Sequence, residues 1–349
     1  MVTISEIARH CGVSIATVSK ALNRGGDISE ATVQRVRQAA QALGYAPNAA
    51  ARALKTKHSH NLGLLTQLRD SHGRAHEFVS LVISAFQAEA ERRGYDVTLV
   101  SQQAQGATMS YVEHCRYRGF DGIALICADF LSPAVRELLE SLLPCVTVDA
   151  YPTRHASVMT DNEAALDALV AHAYGLGHRR IAYIGGKGSA IAEIRAAAFR
   201  KACARHGLQP PVAYLDSAEF NDLHAAAVAT RRLLRLPERP TCILYPDDYA
   251  CLGGMAELEA QGLSVPEEMS VIGFDGLQLG QLLRPHLTTY RQDTEAIGRL
   301  AVQRLLETVA DGDRTPAEPL WIPGQLIPGE TVACLSKSSA TPSRAANTP

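Results

Sequence analysis

From Asn61 onward, short apolar runs alternate with helical stretches, and that alternation confines the body of the chain to few architectures. Runs 62–65, 95–100, 122–126 and 145–148 read as strands. Segments 78–93 and 135–142 read as helices, the first with Phe78, Leu81, Val82, Ala85, Phe86 and Ala90 turned inward. The pattern then repeats. Helices over 163–175, 190–205, 223–236 and 250–261 accompany strands at 181–184, 242–245 and 271–274. Alternating strands and helices make βαβ units, and therefore parallel sheets covered on both faces. Two such lobes of about 100 residues each are expected, meeting near Asp161 and again near Thr289. A ligand belongs in the crevice between them, at the carboxyl ends of the strands.

The first sixty residues follow a different rule. Thr3-Ile4-Ser5-Glu6 has the form of a helix capping box. Ile4, Ile7, Ala8 and Cys11 then recur at the spacing of one buried helical face, and Gly12 can end that helix through a positive φ. Ser14 can cap a second helix with Val18 and Leu22 inward, and Ser29 a third with Val33, Val36, Ala40 and Leu43 inward. Two short helices joined by a glycine turn, with a third across them, form a helix-turn-helix arrangement. Ile15, Ala16, Thr17 and Lys20 would face base edges. Lys20 suits guanine O6 or N7, and Ile15 and Ala16 suit a thymine methyl. Ser14, Thr17, Ser19 and Asn23 are short donors suited to phosphate. The spacing alone is also that of a three-helix protein-binding module. Tyr45-Ala46-Pro47-Asn48 breaks the pattern, and residues 49–55 could form a short helix that orders only against a partner.

Charge supports a polyanion partner for this head. Residues 1–60 carry eight Lys/Arg against three acidic residues, a net +5, while the remaining 289 carry −7 within a total of −2. No apolar run approaches the length needed to span a bilayer, and the first residues show no export signal, so a cytoplasmic, nucleoid-associated protein is expected. The eight cysteines form no C-x-x-C pair, and no His, Cys or carboxylate set has metal-ligand spacing. No metal or other cofactor is expected. Neither G-x-S-x-G nor G-x-x-x-x-G-K-[ST] occurs, so no enzyme motif is present.

Several spaced motifs closely resemble the LacI/GalR family of bacterial regulators. They are Thr3–Ala8, the run from Gly12 to Asn23, and the run from Gly44 to Leu54; in the body they are Thr160-Asp161-Asn162, residues 177–186, residues 265–275, and Pro285-His286-Leu287-Thr288-Thr289 with Gln292-Asp293. The resemblance implies a helix-turn-helix head (1–46), a hinge helix and linker (47–60), and a two-lobed body like a periplasmic sugar-binding protein (61–335). The body divides into an N-lobe of about 61–160 and 291–320 and a C-lobe of about 161–290, and 336–349 form a disordered tail. It implies a homodimer on a near-palindromic operator, with Leu54 wedged into the minor groove. DNA contacts are then expected at Thr3, Ser14, Ile15, Ala16, Thr17, Ser19, Lys20, Asn23, Asn48, Ala51, Leu54 and Lys55.

For the effector, the resemblance maps Arg195 and Asp275 onto the contact pair, although an interlobe ion pair is the other reading. It places Phe220 as a stacking aromatic, Asp247 where many members have Asn, and Gln292 on the last crossover. The loop over 66–77 is about four residues longer than usual, which adds Arg69 and Phe78 as contacts. The function implied is a transcriptional repressor governed by a carbohydrate-like small molecule. The alternative is a solute-binding protein or cleft enzyme of the same two-lobed fold without DNA binding.

Overall fold

A computed structural model describes residues 2–22, 28–46, 58–66, 77–104, 107–150, 154–311 and 318–335. The chain divides into two compact units, 1–59 and 60–349.

The first unit holds α1 (Ile4–Cys11), α2 (Ile15–Leu22) and α3 (Glu30–Ala42). The capping box forms as read. The Thr3 backbone N–H donates to Glu6 Oε2 at 2.7 Å, and the Glu6 N–H donates to Thr3 Oγ1 at 3.4 Å. Gly12 turns the chain at φ +64°. Ile7, Ala8, Val18, Ala21, Val36, Ala39 and Ala40 close the small core. Leu22 and Val33, expected inside, are only partly buried against it.

The second unit is built from two parallel sheets. The N-terminal lobe runs β1 (Asn61–Thr66), α4 (Glu77–Arg92), β2 (Asp96–Leu99), a short hairpin of β3 (Gln103–Ala104) and β4 (Ala107–Thr108), α5 (Tyr111–Arg118), β5 (Gly122–Ile126), α6 (Pro133–Glu140), β6 (Cys145–Val148) and β7 (Ala156–Thr160). The C-terminal lobe follows with α7 (Asn162–Gly175), β8 (Ile181–Gly185), α8 (Ala190–Arg205), β9 (Leu215–Ser217), α9 (Leu223–Leu234), β10 (Cys242–Leu244), α10 (Asp248–Ala260), β11 (Ser270–Ile272), α11 (Gln278–Leu282) and β12 (Thr289–Arg291). The chain then returns through α12 (Thr294–Asp311) and β13 (Leu320–Ile322) to end on β14 (Gln325–Ile327).

The first sheet has the order β13-β7-β6-β5-β1-β2 and the second β11-β10-β8-β9, all neighbours parallel. Every residue of β5, β6, β7 and β8 is buried, as strands covered on both faces must be. In the first lobe α4 and α12 share one apolar layer, and residues from α5 and α6 fill the other. In the second, α7 and α8 cover one face and α9 and α10 the opposite one.

Three differences from the sequence reading have local causes. Leu81 is exposed, and Val79 takes an inward place on α4. That helix lies beside α12 on the same face of the sheet, where a Cβ on Gly298 would lie 2.5 Å from the Val82 carbonyl oxygen, so its buried arc is shared between the sheet and α12. β7 escaped notice because Ser157 and Thr160 interrupt its apolar pattern; both are buried, and the Ser157 hydroxyl donates to the Ala150 carbonyl. Finally, the chain crosses between lobes a third time. Residues 325–335 return to the C-terminal lobe, where the Val271 N–H donates to Thr331 O at 2.9 Å.

Candidate functional site: a helical reading face and a cleft of buried carboxylates

In the head, α2 is held by its inward residues and shows its outward ones. The Ser14 hydroxyl accepts from the Thr17 N–H at 3.0 Å and lies 2.8 Å from the Thr17 hydroxyl. Val18 and Ala21 are buried, which leaves Ile15 (55% exposed), Ala16 and Lys20 outward and Thr17 and Ser19 at the margin. Thr3 is committed to its capping box, its hydroxyl 3.0 Å from Glu6 Oε2. Asn23, Asn48, Ala51, Leu54 and Lys55 lie outside the described residues, as does Arg69.

In the body, the residues that follow the strands gather at the carboxyl ends of both sheets, as parallel topology dictates. Cys127 follows β5, Asp149 follows β6, Phe220 comes three residues after β9, Asp247 three after β10 and Asp275 three after β11. Five described non-glycine residues have positive φ, and four belong here: Cys127 (+49°), Asp149 (+58°), Asn221 (+59°) and Asp275 (+103°). Backbone strain of this kind concentrates where surrounding structure holds a site in one geometry.

Arg195 is the positive centre. Ser189 caps α8, with the Ala192 N–H 3.3 Å from its hydroxyl, and Arg195 emerges from the next turn, buried. Its Nε donates to Asn162 Oδ1 at 2.8 Å and its Nη1 to the Pro246 carbonyl at 3.2 Å. The guanidinium carbon lies 3.8 Å from the Phe274 ring centroid and 5.9 Å from that of Phe220. Phe220 is half-buried and rests on Gly186, where a Cβ would approach its ring to 2.0 Å. Only glycine leaves room for that aromatic platform.

Around this one cation stand several carboxylates. Asp275 is buried, and its Oδ1 accepts from Gln292 Nε2 at 2.7 Å. Burial holds its carboxyl well above the usual range, with Arg195 opposing the shift. Asp149 is raised by burial in the same way, again opposed by Arg195, and its Oδ1 is buried without a hydrogen-bond partner. Thr66 Oγ1, at the end of β1, is likewise buried without one. Cys127 has its thiol pushed well up by burial and by Asp149 and Asp275, so it is an inert thiol rather than a nucleophile.

The sequence-expected contacts divide here. Arg195, Asp275 and Phe220 come together. Asp247 does structural work: its Oδ1 caps α10 through the Ala250 N–H at 2.7 Å, and its Oδ2 accepts from the Asn221 N–H at 2.8 Å. Gln292 uses both ends of its amide on protein partners, accepting from the Thr160 hydroxyl and donating to Asp275. Phe78 is buried with Leu62, Leu64, Val79 and Val82 in the first lobe's core, and the neighbouring Glu77 accepts from the Tyr249 hydroxyl of the second lobe at 3.3 Å. Asp149, Cys127 and Thr66 were missed. The available signal was position, one residue past or at the end of a buried strand. Among the described residues, no group of three His, Cys, Asp or Glu is arranged to hold a metal, and no helix is long and apolar enough to cross a membrane.

A helix-turn-helix head and a two-lobed parallel α/β body are the architecture of a DNA-binding regulator, and comparison with known proteins gives the family. Residues 3–48 match the bacterial regulatory proteins of the lacI family, and residues 170–332 match the periplasmic binding protein-like domain. The HTH-type transcriptional repressor PurR of Vibrio cholerae is 30% identical over 345 residues, 97% of this chain and 100% of that protein. The ribose operon repressor of Escherichia coli is 30% identical over 315 residues, covering 88% of this chain and 93% of that one. The lac repressor dimer bound to operator and the anti-inducer ONPF superposes with a TM-score of 0.77 at 26% identity, covering 95% of this chain and 99% of that one. The chain belongs to the lacI family of bacterial regulatory proteins. It is a regulatory protein and not an enzyme, and the relatives named here are transcriptional repressors.

Proposed function

We propose that this repressor binds a near-palindromic operator as a homodimer and is switched by a small, uncharged, hydroxyl-rich effector in the cleft at Arg195, Asp275, Phe220 and Asp149. The observation that carries the reading is the polar lining of the cleft. Arg195 lies 5.9 Å from the half-buried Phe220 ring and beside the buried Asp275 carboxyl, while Asp149 Oδ1 and Thr66 Oγ1 are buried without a hydrogen-bond partner. Oxygens that accept call for a ligand rich in donors, and the ring supplies an apolar floor for a sugar face. Among the described residues, acidic groups outnumber cations there, which disfavours phosphate or carboxylate on the ligand. On the DNA side, Ile15, Ala16 and Lys20 supply the base-facing surface and Leu54 the wedge. The operator-bound lac repressor dimer, at 26% identity, supports the dimer and the mode of docking.

A melting screen of sugars, polyols, sugar phosphates and nucleobases tests the effector class, since a ligand specific for the folded state raises the transition. The reading expects the rise from a neutral sugar or polyol and its loss in Asp275→Asn. A rise only with sugar phosphates would overturn it.

A further inference from the structure

The motif Thr160-Asp161-Asn162 joins the last strand of the first lobe to the first helix of the second. In the structure it lies between the two effector-reading residues. Arg195 Nε donates to Asn162 Oδ1 at 2.8 Å. Asn162 Nδ2 donates to the Thr160 carbonyl at 2.7 Å. The Thr160 hydroxyl donates to Gln292 Oε1, and Gln292 Nε2 donates to Asp275 Oδ1 at 2.7 Å. The five residues are buried, none more than 6% exposed. They span sequence separations of 33, 2, 132 and 17 residues.

The path passes through two of the three crossovers between lobes. Thr160 ends β7 and Asn162 begins α7, so both sit on the first; Gln292 follows β12 on the second. Asp161, between them, donates its N–H to the Ile322 carbonyl at 2.8 Å, which touches the third. Asp275 and Gln292 are also joined through their backbones, the Gln292 N–H donating to Asp275 O at 3.2 Å.

We propose that Asn162, Thr160 and Gln292 form a buried relay that joins Arg195 to Asp275 through the interlobe crossovers, so that a displacement at either contact residue is carried to the other and to the strands that set the angle between lobes. The relay's functional meaning rests on the reading of Arg195 and Asp275 as effector contacts; its physical existence does not. Thr160, Asn162 and Gln292 are positioning residues. The direction of each bond is fixed by chemistry. Each amide in the path has both ends engaged, and a buried amide left half-satisfied is costly, so the groups move together or break together.

Hydrogen exchange of the full-length chain tests this without any effector. Thr160→Val removes the hydroxyl at constant shape, Thr160→Ser keeps it, and Gln292→Met removes both amide ends. In Thr160→Val, exchange is expected to rise roughly threefold to tenfold in 270–280 and 288–294 as well as locally, the weight of one buried hydrogen bond. Thr160→Ser should restore protection. Gln292→Met should loosen 156–166 from the other side, and the double variant should exceed Gln292→Met by little, because that change already removes the Thr160–Gln292 bond. Thr160→Val effects confined to 156–166, or fully additive effects in the double variant, would overturn the relay. If Thr160→Val does not fold, Gln292→Met decides alone: unchanged exchange over 156–166 refutes it. Failure of the melting screen, with these exchange results intact, would instead move the effector site while leaving the relay standing.

Discussion

Replacing Arg195 with methionine should cost the folded protein about 3–5 kcal/mol at neutral pH, the range for removing one partner from a buried charged network. The structure shows why. The side chain is 4% exposed and makes two charge-assisted donations, to Asn162 Oδ1 at 2.8 Å and to the Pro246 carbonyl at 3.2 Å. Each is worth about 1.5–3 kcal/mol, and the contact with Phe274 at 3.8 Å adds about 0.5–2 kcal/mol. Methionine recovers much of the stem's packing, so the sum is an upper bound. The rest of the cost is electrostatic, because Arg195 lowers the proton affinities of Asp149, Asp247 and Asp275 against their burial. Without it their folded-state values rise further, the folded state binds more protons, and the variant regains stability as pH falls. Urea unfolding at pH 7.5 and pH 5 would read this as a penalty that narrows with acid. Arg195→Lys, which keeps charge but loses the fork, should fall between. A loss below about 1 kcal/mol at pH 7.5, or a penalty independent of pH, would refute the assignment of Arg195 as the cleft's charge-compensating centre.

Three further outcomes are expected. Phe78→Ala should lose about 3–5 kcal/mol in the same urea assay, as a core truncation does, while leaving the response to any effector found by the melting screen unchanged. Asp248, pushed by burial to about 7 despite hydrogen bonds from Thr289 at 2.6 Å and the Leu277 N–H at 2.7 Å, keeps its proton in the folded state where the unfolded chain has released it. Stability should therefore fall as pH rises from about 4 to about 7, and Asp248→Asn should flatten that slope in pH-dependent thermal melts. Lys20→Ala should relax base preference at one position in each half-site by about 1–3 kcal/mol, read from binding to single-base operator variants.

Local features were readable from the sequence, and long-range ones were not. The Thr3–Glu6 capping box and the Gly12 turn depend on neighbours within three residues, and both form as expected. Strand β5 stands out as an unbroken apolar run, and β6 as one interrupted only by Thr147. Helix α5 was missed although Ser110 and Glu113 build a capping box, because its mixed sequence shows little amphipathic pattern. Arg195 and Asp275 came from family resemblance. Nothing in their own surroundings announces that residues 80 apart share a cleft. Asp149 and Cys127 needed the order of strands in the first sheet, which sequence alone does not supply. The resemblance places Gln292 on the last crossover as an effector contact; only the fold brings Thr160, 132 residues away, to one end of its amide. Asp247 carries the same expectation, and the fold gives its carboxylate the N–H groups of Ala250 and Asn221.

The proposed regulator has an outward face of α2 that reads DNA symmetrically under the control of the body's cleft. Selection from a random duplex library with the full-length protein tests it most directly. Enrichment of a two-fold-related sequence, with one position per half-site losing definition in Lys20→Ala, is the predicted result. Recovery of no symmetric sequence above the starting library, with and without the compounds of the melting screen, would contradict it.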